Sequence, residues 1–413
     1  MKNLILSASL MSSLFLSSAI NPKSVSSFKT PQGNQDTLAA VEKNKANSDY
    51  KSAFKGQTRI AGVKTKSAYD FKVLTKQLKS PWGIAVLPDG RLLITEKEGV
   101  LRIVNKSGNV SEAITGLPKV DARAQGGLLG LVLDPQFASN RTVYWAFSEP
   151  TANGNHTAVA KGVLTKNDKT IENAKVIYRS SPTHKGALHF GGRLVFDKTG
   201  HLLLTIGERS DLATRPLAQD LKSSLGKIVR ITKDGKPAAN NPFYKNKNAL
   251  PEIYSYGHRN PQGIAFHPTH GTLWAAEFGP RGGDELNLIK PGKNYGWPVI
   301  TYGLEYSGKP VGTPTLQAKA GMEQPVYYWD PVLSPSGLTF YSGKGIAEWK
   351  NNLFIAGLSS THIARLVIKD NKVVGEERLL SREAERFRDV VEGKNGELFA
   401  ITDAGKLYII QKK

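Results

Sequence analysis

The residues with the clearest chemical potential stand just before a glycine in segments that recur along the chain. His189 carries an imidazole, which can act as a general base near neutral pH. The matching positions of the other segments carry mostly polar groups, at Trp82, Gln125, Arg259 with Asn260, Ser334 with Ser336, and Arg386 with Arg388. Three guanidinium groups around one cavity would repel each other, so the pattern predicts an anionic ligand with several carboxylates or phosphates.

A second candidate site lies in the stretch F-G-P-R-G-G-D-E-L-N-L-I, residues 278–289. Its Gly-Pro turn exposes backbone carbonyls, and Asp284 and Glu285 add two carboxylates. Oxygen ligands on an irregular loop suit calcium rather than zinc or copper. A solvated acidic loop is the alternative interpretation of the same residues.

Six repeated units must position these residues. Each consists of a short apolar strand, a turn and a second strand, and the units start near residues 80, 125, 189, 259, 334 and 386. Strand repeats at such spacing are typical of β-propellers with one blade per repeat, which predicts an all-β, six-bladed β-propeller. The first strands of all blades start at one end of the central tunnel, so the residues before the glycines should meet at one mouth. Residues 69–78 are expected to close the ring by pairing with the last strand, residues 406–411.

Composition excludes several classes of protein. The chain of 413 residues has no cysteine, which excludes disulfides, thiolate metal sites, a cysteine nucleophile and a lipoprotein anchor. Its net charge of +21 is spread without a run of five basic residues, so we expect no nucleic-acid partner. The charge indicates either a solvated basic surface or an attraction for anionic partners.

The N-terminal residues are typical of an exported protein. Lys2 precedes an apolar, serine-rich stretch, so residues 1–20 are predicted to be a signal peptide, which implies a periplasmic or secreted protein that does not span a membrane. Residues 21–66 are polar and lack an apolar period, so they are predicted to be a disordered tether. Residues 67–413 form the predicted catalytic propeller.

Several motifs resemble a known family. Q-G-G-L-L-G-L-V-L-D-P-Q-F, H-F-G-G-R-L, G-H-R-N-P-Q-G-I-A-F, E-F-G-P-R-G-G-D-E-L-N-L-I, N-Y-G-W-P and R-F-R-D occur in this order from about residue 80 to the C-terminus. They resemble the soluble glucose and aldose sugar dehydrogenases that depend on pyrroloquinoline quinone (PQQ). The resemblance implies PQQ and calcium as cofactors and an aldose as substrate, with electrons passed to an unidentified acceptor and a monomer or homodimer as the working form.

The resemblance also implies roles for individual residues. His189 would take the proton of the sugar C1 hydroxyl while hydride passes to the quinone, which gives a lactone. Arg259 would polarise the quinone oxygens, and Glu208 would support the base. Gln125 and Trp329 would bind the substrate, and PQQ would be bound by Gln125, Arg259, Asn260, Arg386 and Arg388. The carbonyls of Gly279 and Pro280 would hold a calcium that binds the quinone. A second, structural calcium is expected at Asp284, Glu285 and Tyr295.

The chain departs from the family pattern at four positions. Leu188 replaces an aspartate before the base, and Glu208 replaces a shorter carboxylate. Ser359 stands in place of a lysine that reaches the cofactor, and Phe278 in place of an amide found in some relatives. An apolar Leu188 cannot discriminate hydroxyl stereochemistry by hydrogen bonding, so we expect broad activity on aldoses.

Two other functions fit a six-bladed propeller. A calcium-dependent lactone or ester hydrolase would need side-chain carboxylates on the axis, whereas the ring positions offer arginine, histidine and glutamine. A non-catalytic propeller that binds a sugar or a protein would have no use for His189 beside three arginines. Bleaching of bound quinone by an aldose would separate the dehydrogenase from both alternatives.

Overall fold

Six β-sheets form a ring in the computed structural model, which describes residues 38–312 and 314–413. The predicted signal peptide, residues 1–20, lies outside the described residues. The innermost strands of the six sheets each contact the innermost strand of the next sheet, and the sixth contacts the first. The prediction of a six-bladed β-propeller is therefore confirmed.

The first three blades run outward from the tunnel in antiparallel order. Blade 1 consists of β4 (Pro81–Val86), β5 (Leu92–Glu96) and β6 (Val100–Val104). Blade 2 consists of β7 (Leu128–Leu133), β8 (Thr142–Thr151), β9 (Gly154–Leu164) and β10 (Ile171–Arg179), with the short helix α1 (Phe137–Asn140) between its first two strands. Blade 3 consists of β11 (Leu194–Phe196), β12 (Leu202–Ile206), β13 (Lys227–Ile231) and β14 (Ile253–Tyr256), with the 3₁₀ helix η1 (Arg215–Ala218) after its second strand.

The other three blades follow the same plan. Blade 4 consists of β15 (Pro261–Phe266), β16 (Leu273–Glu277), β17 (Asp284–Ile289) and β18 (Tyr327–Trp329). Blade 5 consists of β19 (Pro335–Phe340), β20 (Leu353–Gly357), β21 (Ile363–Lys369) and β22 (Lys372–Leu379), with the 3₁₀ helix η2 (Ala347–Trp349). Blade 6 consists of β23 (Phe387–Glu392), β24 (Leu398–Thr402), β25 (Leu407–Lys412) and β3 (Tyr69–Thr75), with the 3₁₀ helix η3 (Ser381–Glu383) before it.

The N- and C-terminal parts of the propeller close the ring together. Strand β3 pairs antiparallel with β25, so that Tyr69 lies opposite Lys412 and Thr75 opposite Leu407. This confirms the predicted closure, with the pairing strand ending at Thr75.

Glycine is required where neighbouring blades meet at the tunnel. A Cβ on Gly263 of β15 would collide with the carbonyl oxygen of Ser336, and one on Gly337 would collide with the carboxylate of Asp389. Farther out, each junction between adjacent blades encloses its own apolar cluster, such as Trp145 between blades 1 and 2 and Trp274 between blades 4 and 5. The repeat glycines of blades 1–5 thus let the inner strands approach, and the apolar strands fill the space behind them.

Residues 38–66 pack on the propeller, which corrects the prediction of a disordered tether over this range. Strand β1 (Leu38–Ala40) pairs with β2 (Ala61–Gly62), and β2 continues blade 5 by pairing with β22. Gln57 is fully buried, and its amide donates to Pro325 O at 2.9 Å and accepts from the Ala53 amide at 2.7 Å. The segment is held through polar side chains and backbone groups, so a search for an apolar period could not find it.

Removal of residues 38–66 is expected to lower the melting temperature. Each buried hydrogen bond that is lost costs about 1 kcal/mol, and about 2–4 °C of Tm corresponds to each kcal/mol in a large domain. Calorimetry of a chain that starts at Ser67 should therefore show a Tm at least about 4 °C below that of a chain that starts at Thr37. Gln57→Ala in the full chain should shift Tm in the same direction, whereas the exposed Lys55→Ala should not. Equal melting of the two chains would contradict a packed segment.

None of the helices in the described ranges is long and apolar enough to cross a bilayer.

Candidate active site

His189 and Glu208 form a buried pair on blade 3. His189 lies in the segment before β11 with φ 47°, and Glu208 follows β12. Nδ1 of His189 lies 2.7 Å from Oε1 of Glu208, and both side chains are nearly inaccessible to solvent. A carboxylate only accepts hydrogen bonds, so Nδ1 carries the proton and Nε2 keeps its lone pair. This is the tautomer that a general base requires.

Burial keeps the imidazole neutral. Burial first, and then the positive charges of Arg259 and Arg209, lower the pKa of His189 to about 4 in spite of the opposing hydrogen bond and charge of Glu208. An imidazole with this pKa is unprotonated from mildly acidic to alkaline pH.

With His189 as the general base expected from the sequence, the low pKa predicts that activity survives mildly acidic pH. Protonation blocks a base, so activity should fall as pH decreases through the folded-state pKa of about 4, and not through the usual value of 6.5. A profile of kcat/KM against pH should stay nearly flat from pH 7.5 to about 5.5. An acid limb centred at about 6.5 or above would contradict this. Melting curves at each pH separate titration of the base from unfolding.

Residues of blades 2 and 4 converge on this pair. The side-chain oxygen of Gln125 accepts a hydrogen bond from the His189 amide at 2.9 Å. The Glu208 amide donates to the carbonyl oxygen of Arg259 at 2.9 Å, and Oδ1 of Asn260 accepts from the Gly191 amide at 3.0 Å. The structure therefore brings together residues that are separated by up to 135 positions in the chain.

Arg259 is anchored beside the base. Its amide donates to the buried carboxylate of Glu277 at 2.7 Å, and Nη1 donates to Gly279 O at 2.6 Å. Its guanidinium lies over the ring of Trp297, with 5.2 Å from Cζ to the centroid.

Three buried polar atoms of this site have no hydrogen-bond partner among the described residues. They are Nε of Arg259, Nδ2 of Asn260 and Oε2 of Glu208. Buried polar groups are normally paired, so such atoms indicate a place for a ligand. Two of the three are donors, which suit acceptor oxygens.

A cavity of about 320 Å³ opens beside Gln125, and we call it the mouth cavity. It is lined by Ser80, Pro81, Trp82, Lys97, Ala124, Gln125, Gln262, Arg386, Arg388 and Asp403. Gln125 joins the two parts of the site, because it lines the cavity and also holds the His189 amide. Arg386 and Arg388 therefore lie in one cavity with Gln125, whereas Arg259 lies beside His189.

Two charged residues of the mouth cavity were missed in the sequence. Asp403 bonds to Nε of Arg388 at 2.7 Å and to Nε of Arg386 at 3.0 Å. Burial alone would raise the pKa of Asp403, but the two guanidinium groups hold it below its usual value. Lys97 donates to Ala124 O at 2.6 Å.

Asp403 corrects two expectations. The mouth cavity does contain a carboxylate, from outside the ring positions, and part of the repulsion between the arginines is relieved within the protein. The four charged residues of the mouth cavity, Lys97, Arg386, Arg388 and Asp403, still carry a formal net charge of +2, which favours an anionic ligand. Asp403 lies at or just beyond the end of the second strand of its repeat, as Glu208 and Glu277 do, and this shared position was the available signal.

The loop at Gly279 and Pro280 lies next to Arg259. Oδ1 of Asp284 accepts from the Gly279 amide at 2.9 Å, and Oδ2 accepts from the amides of Leu333 and Ser334 at 2.8 and 2.7 Å. Asp284 thus holds the loop in place, and both of its carboxylate oxygens accept hydrogen bonds. Burial raises its pKa to about 6 despite these hydrogen bonds.

The second calcium site expected at Asp284, Glu285 and Tyr295 stays a prediction, and the side chains of these residues make separate contacts. Asp284 and Glu285 are consecutive on β17, so their side chains point to opposite faces of the blade. Glu285 accepts from Asn287 at 3.0 Å, and burial together with the charge of Glu277 raises its pKa well above the usual value. The hydroxyl of Tyr295 donates to Leu288 O at 2.7 Å. No cluster of three acidic or histidine ligands occurs in the described ranges.

The expectation that Trp329 binds the substrate is wrong. Trp329 lies on β18, the outermost strand of blade 4, and only 4% of it is exposed. It packs against Tyr327 and Trp274 in the core, and its indole nitrogen lies 3.4 Å from Glu376. An outer strand cannot deliver a side chain to the tunnel mouth.

The positions that depart from the family pattern lie around the same mouth. Leu188, next to the base, is 38% exposed. The Ser359 hydroxyl lies 3.4 Å from the Arg386 guanidinium, so this serine contacts a residue of the mouth cavity without adding a charge. Phe278 provides a carbonyl oxygen 3.3 Å from Nη1 of Arg259.

Comparison with known proteins identifies the family. The model of the glucose/sorbosone dehydrogenase family matches residues 78–410. The chain belongs to this family. It is therefore an oxidoreductase, and the family match covers every site residue described above.

Individual members of the glucose/sorbosone dehydrogenase family are similar over most of the chain. Aldose sugar dehydrogenase YliI of Escherichia coli is 41% identical over 334 residues, which cover 80% of this chain and 89% of that protein. Quinoprotein glucose dehydrogenase B of Acinetobacter calcoaceticus is 28% identical, over 81% of this chain and 85% of that one. The PQQ-bound structure of a Streptomyces coelicolor aldose sugar dehydrogenase is 30% identical with a TM-score of 0.68, over 85% of this chain and all of that chain.

Proposed function

We propose that this protein is a PQQ-dependent aldose dehydrogenase that oxidises the C1 hydroxyl of sugars to a lactone. The observation that carries the proposal is a neutral, buried His189–Glu208 pair next to unpartnered donors of Arg259 and Asn260. A base beside donors without partners is the arrangement needed to remove a proton next to an acceptor with several oxygens. The PQQ-bound relative supports the choice of cofactor.

The residues present fit the cofactor. PQQ carries three carboxylates, and the mouth cavity carries Arg386 and Arg388 together with the unexpected Lys97. Asn260 and Arg259 would donate hydrogen bonds to the quinone part of the cofactor. When bound, PQQ supplies the quinone that accepts two electrons, as hydride, from C1 of the sugar.

The protein's own residues would handle the proton and the charge. Nε2 of His189 takes the proton of the C1 hydroxyl, while Glu208 keeps Nδ1 protonated and the ring oriented. The cation of Arg259 stabilises the negative charge that develops as the sugar is oxidised. The side-chain nitrogen of Gln125 remains available to the substrate, because its oxygen is bound to the His189 amide.

A single calcium is part of the proposal. The carbonyls of Gly279 and Pro280 would hold it, since hard oxygen ligands suit this ion and the loop is fixed by Asp284. We do not extend the proposal to the second calcium, because the side chains of Asp284 and Glu285 lie on opposite faces of β17. An exposed, apolar Leu188 favours a broad range of aldoses.

Spectroscopy of the protein with its cofactors tests the proposal. Purified protein is titrated with PQQ in CaCl₂, glucose or xylose is added, and the visible spectrum is recorded before and after. We expect a bound-quinone spectrum that sugar bleaches, and no bleaching after dialysis against EDTA until calcium is restored. Sugar binding by calorimetry without bleaching would favour the non-catalytic alternative. Full bleaching in excess EDTA would remove calcium from the proposal.

A further inference from the structure

The residue that follows Glu208 is a fully buried arginine with no acidic partner. Arg209 is 1% exposed, and every hydrogen bond that it makes within the described ranges goes to a neutral oxygen. Burial lowers the pKa of Arg209 to about 10, although the more distant charges of Asp121 and Glu208 oppose this. A buried cation without a paired anion destabilises a fold, so its contacts must serve another purpose.

These contacts concentrate on the segment that carries His189. Nε of Arg209 donates to Leu188 O at 3.0 Å, and Nη2 donates to Gly186 O at 2.7 Å. The guanidinium also lies over the ring of Phe190, with 3.9 Å from Cζ to the centroid. Residues on both sides of the base are therefore held by one rigid group.

The guanidinium is also fixed to blade 2. Nη2 donates to Oδ1 of Asn155 at 2.7 Å, and the amide nitrogen of Asn155 donates to Asp121 at 2.8 Å and to Gly186 O at 3.1 Å. Arg209 thus connects the segment of residues 186–190 to a strand of the neighbouring blade.

The peptide bond between Leu188 and His189 is held at both ends. Its oxygen accepts from Arg209, and its N–H donates to Gln125. His189 has a φ of 47°, a conformation that residues with a side chain rarely adopt unless their surroundings impose it. With Glu208 bound to Nδ1, the imidazole is oriented by three contacts, two of them from consecutive residues.

We propose that Arg209 is a positioning residue for His189, which fixes the peptide bond and the segment that aim the imidazole. This inference rests on the proposed function, because it assumes that His189 is the base. The charged groups that act on His189 are Glu208, Arg259 and Arg209, and the charge of Arg209 favours the neutral imidazole.

Substitutions of Arg209 separate geometry from charge. Arg209→Met removes both the hydrogen bonds and the positive charge. Its kcat should fall about 10- to 100-fold, because small misplacements of catalytic groups cost about this much. Its acid limb should also move to higher pH, while the Kd for PQQ, measured by titration without sugar, should change less than about 3-fold. Arg209→Lys keeps the charge but not the planar fork, so its acid limb should stay and its kcat should still fall about 10-fold.

Arg230→Met is the matched control, because Arg230 is a buried arginine of β13 that pairs with Asp197 on the same blade. It should lower Tm but leave the acid limb and kcat unchanged. If Arg209→Met also changed only Tm, the positioning role would be wrong. Should that variant fail to fold, Arg209→Lys with wild-type kcat would overturn the proposal by itself. If the wild-type protein bound PQQ but did not oxidise aldoses, the proposed function would fail first, and independently of these variants.

Discussion

Replacement of His189 by alanine is expected to lower kcat for aldose oxidation by about 10²- to 10⁴-fold, the usual cost of losing a general base. The imidazole is neutral because burial lowers its pKa, and its Nδ1 is committed to Glu208, so Nε2 is the atom that takes the proton. The residues proposed to hold PQQ lie mainly on other blades, so the Kd for PQQ should change little. Stopped-flow reduction of the bound quinone by sugar measures the affected step directly.

A second variant separates loss of the base from damage to the site. Alanine leaves the buried Glu208 without a partner, whereas His189→Gln can still donate a hydrogen bond to it. Both variants should lose activity to a similar degree, because neither has a basic nitrogen. The exposed His270→Ala, in the turn between β15 and β16, should behave as wild type. A His189→Gln variant within about 3-fold of wild type would remove His189 from the mechanism.

Replacement of Arg259 by methionine is expected to lower kcat/KM about 10²- to 10³-fold, the typical cost of removing a group that stabilises developing charge. The variant also frees Gly279 O, a proposed calcium ligand, from a competing cation, so the calcium concentration for half-maximal activity should fall. The charge of Arg259 helps to lower the pKa of His189, so its removal should move the acid limb to higher pH. Steady-state kinetics across pH and calcium concentration report all three effects.

Two control variants accompany Arg259→Met, one at Arg259 itself and one in the adjacent loop. Arg259→Lys keeps the positive charge, so its acid limb should stay close to that of wild type even where kcat falls. The exposed Arg281→Met changes an arginine of the adjacent loop and should leave kcat/KM unchanged. An Arg259→Met variant with an unshifted acid limb and unchanged calcium dependence would show that this arginine acts only in packing.

The sequence by itself determined the six-bladed architecture and which residues lie around the mouth of the tunnel. Each blade repeats one local pattern of alternating strands and turns, and in the first five blades a glycine permits close approach at the tunnel. Six copies with a closing strand leave few alternatives to a propeller. Because all blades start at one end, residues as distant as Gln125, His189 and Arg388 could be assigned to one mouth before any contact was known.

Only the tertiary structure decided how these residues are paired and which neighbours they have. Asp403 binds two arginines, and Asn260 reaches the segment of His189, through contacts between different strands or blades that no local pattern records. The same limit explains the errors. Trp329 was a candidate substrate contact from the family resemblance but lies on an outer strand, and consecutive Asp284 and Glu285 face opposite sides of β17. Residues 38–66 look unstructured because periodicity reports apolar burial, whereas this segment is held by hydrogen bonds to loops more than 200 residues away.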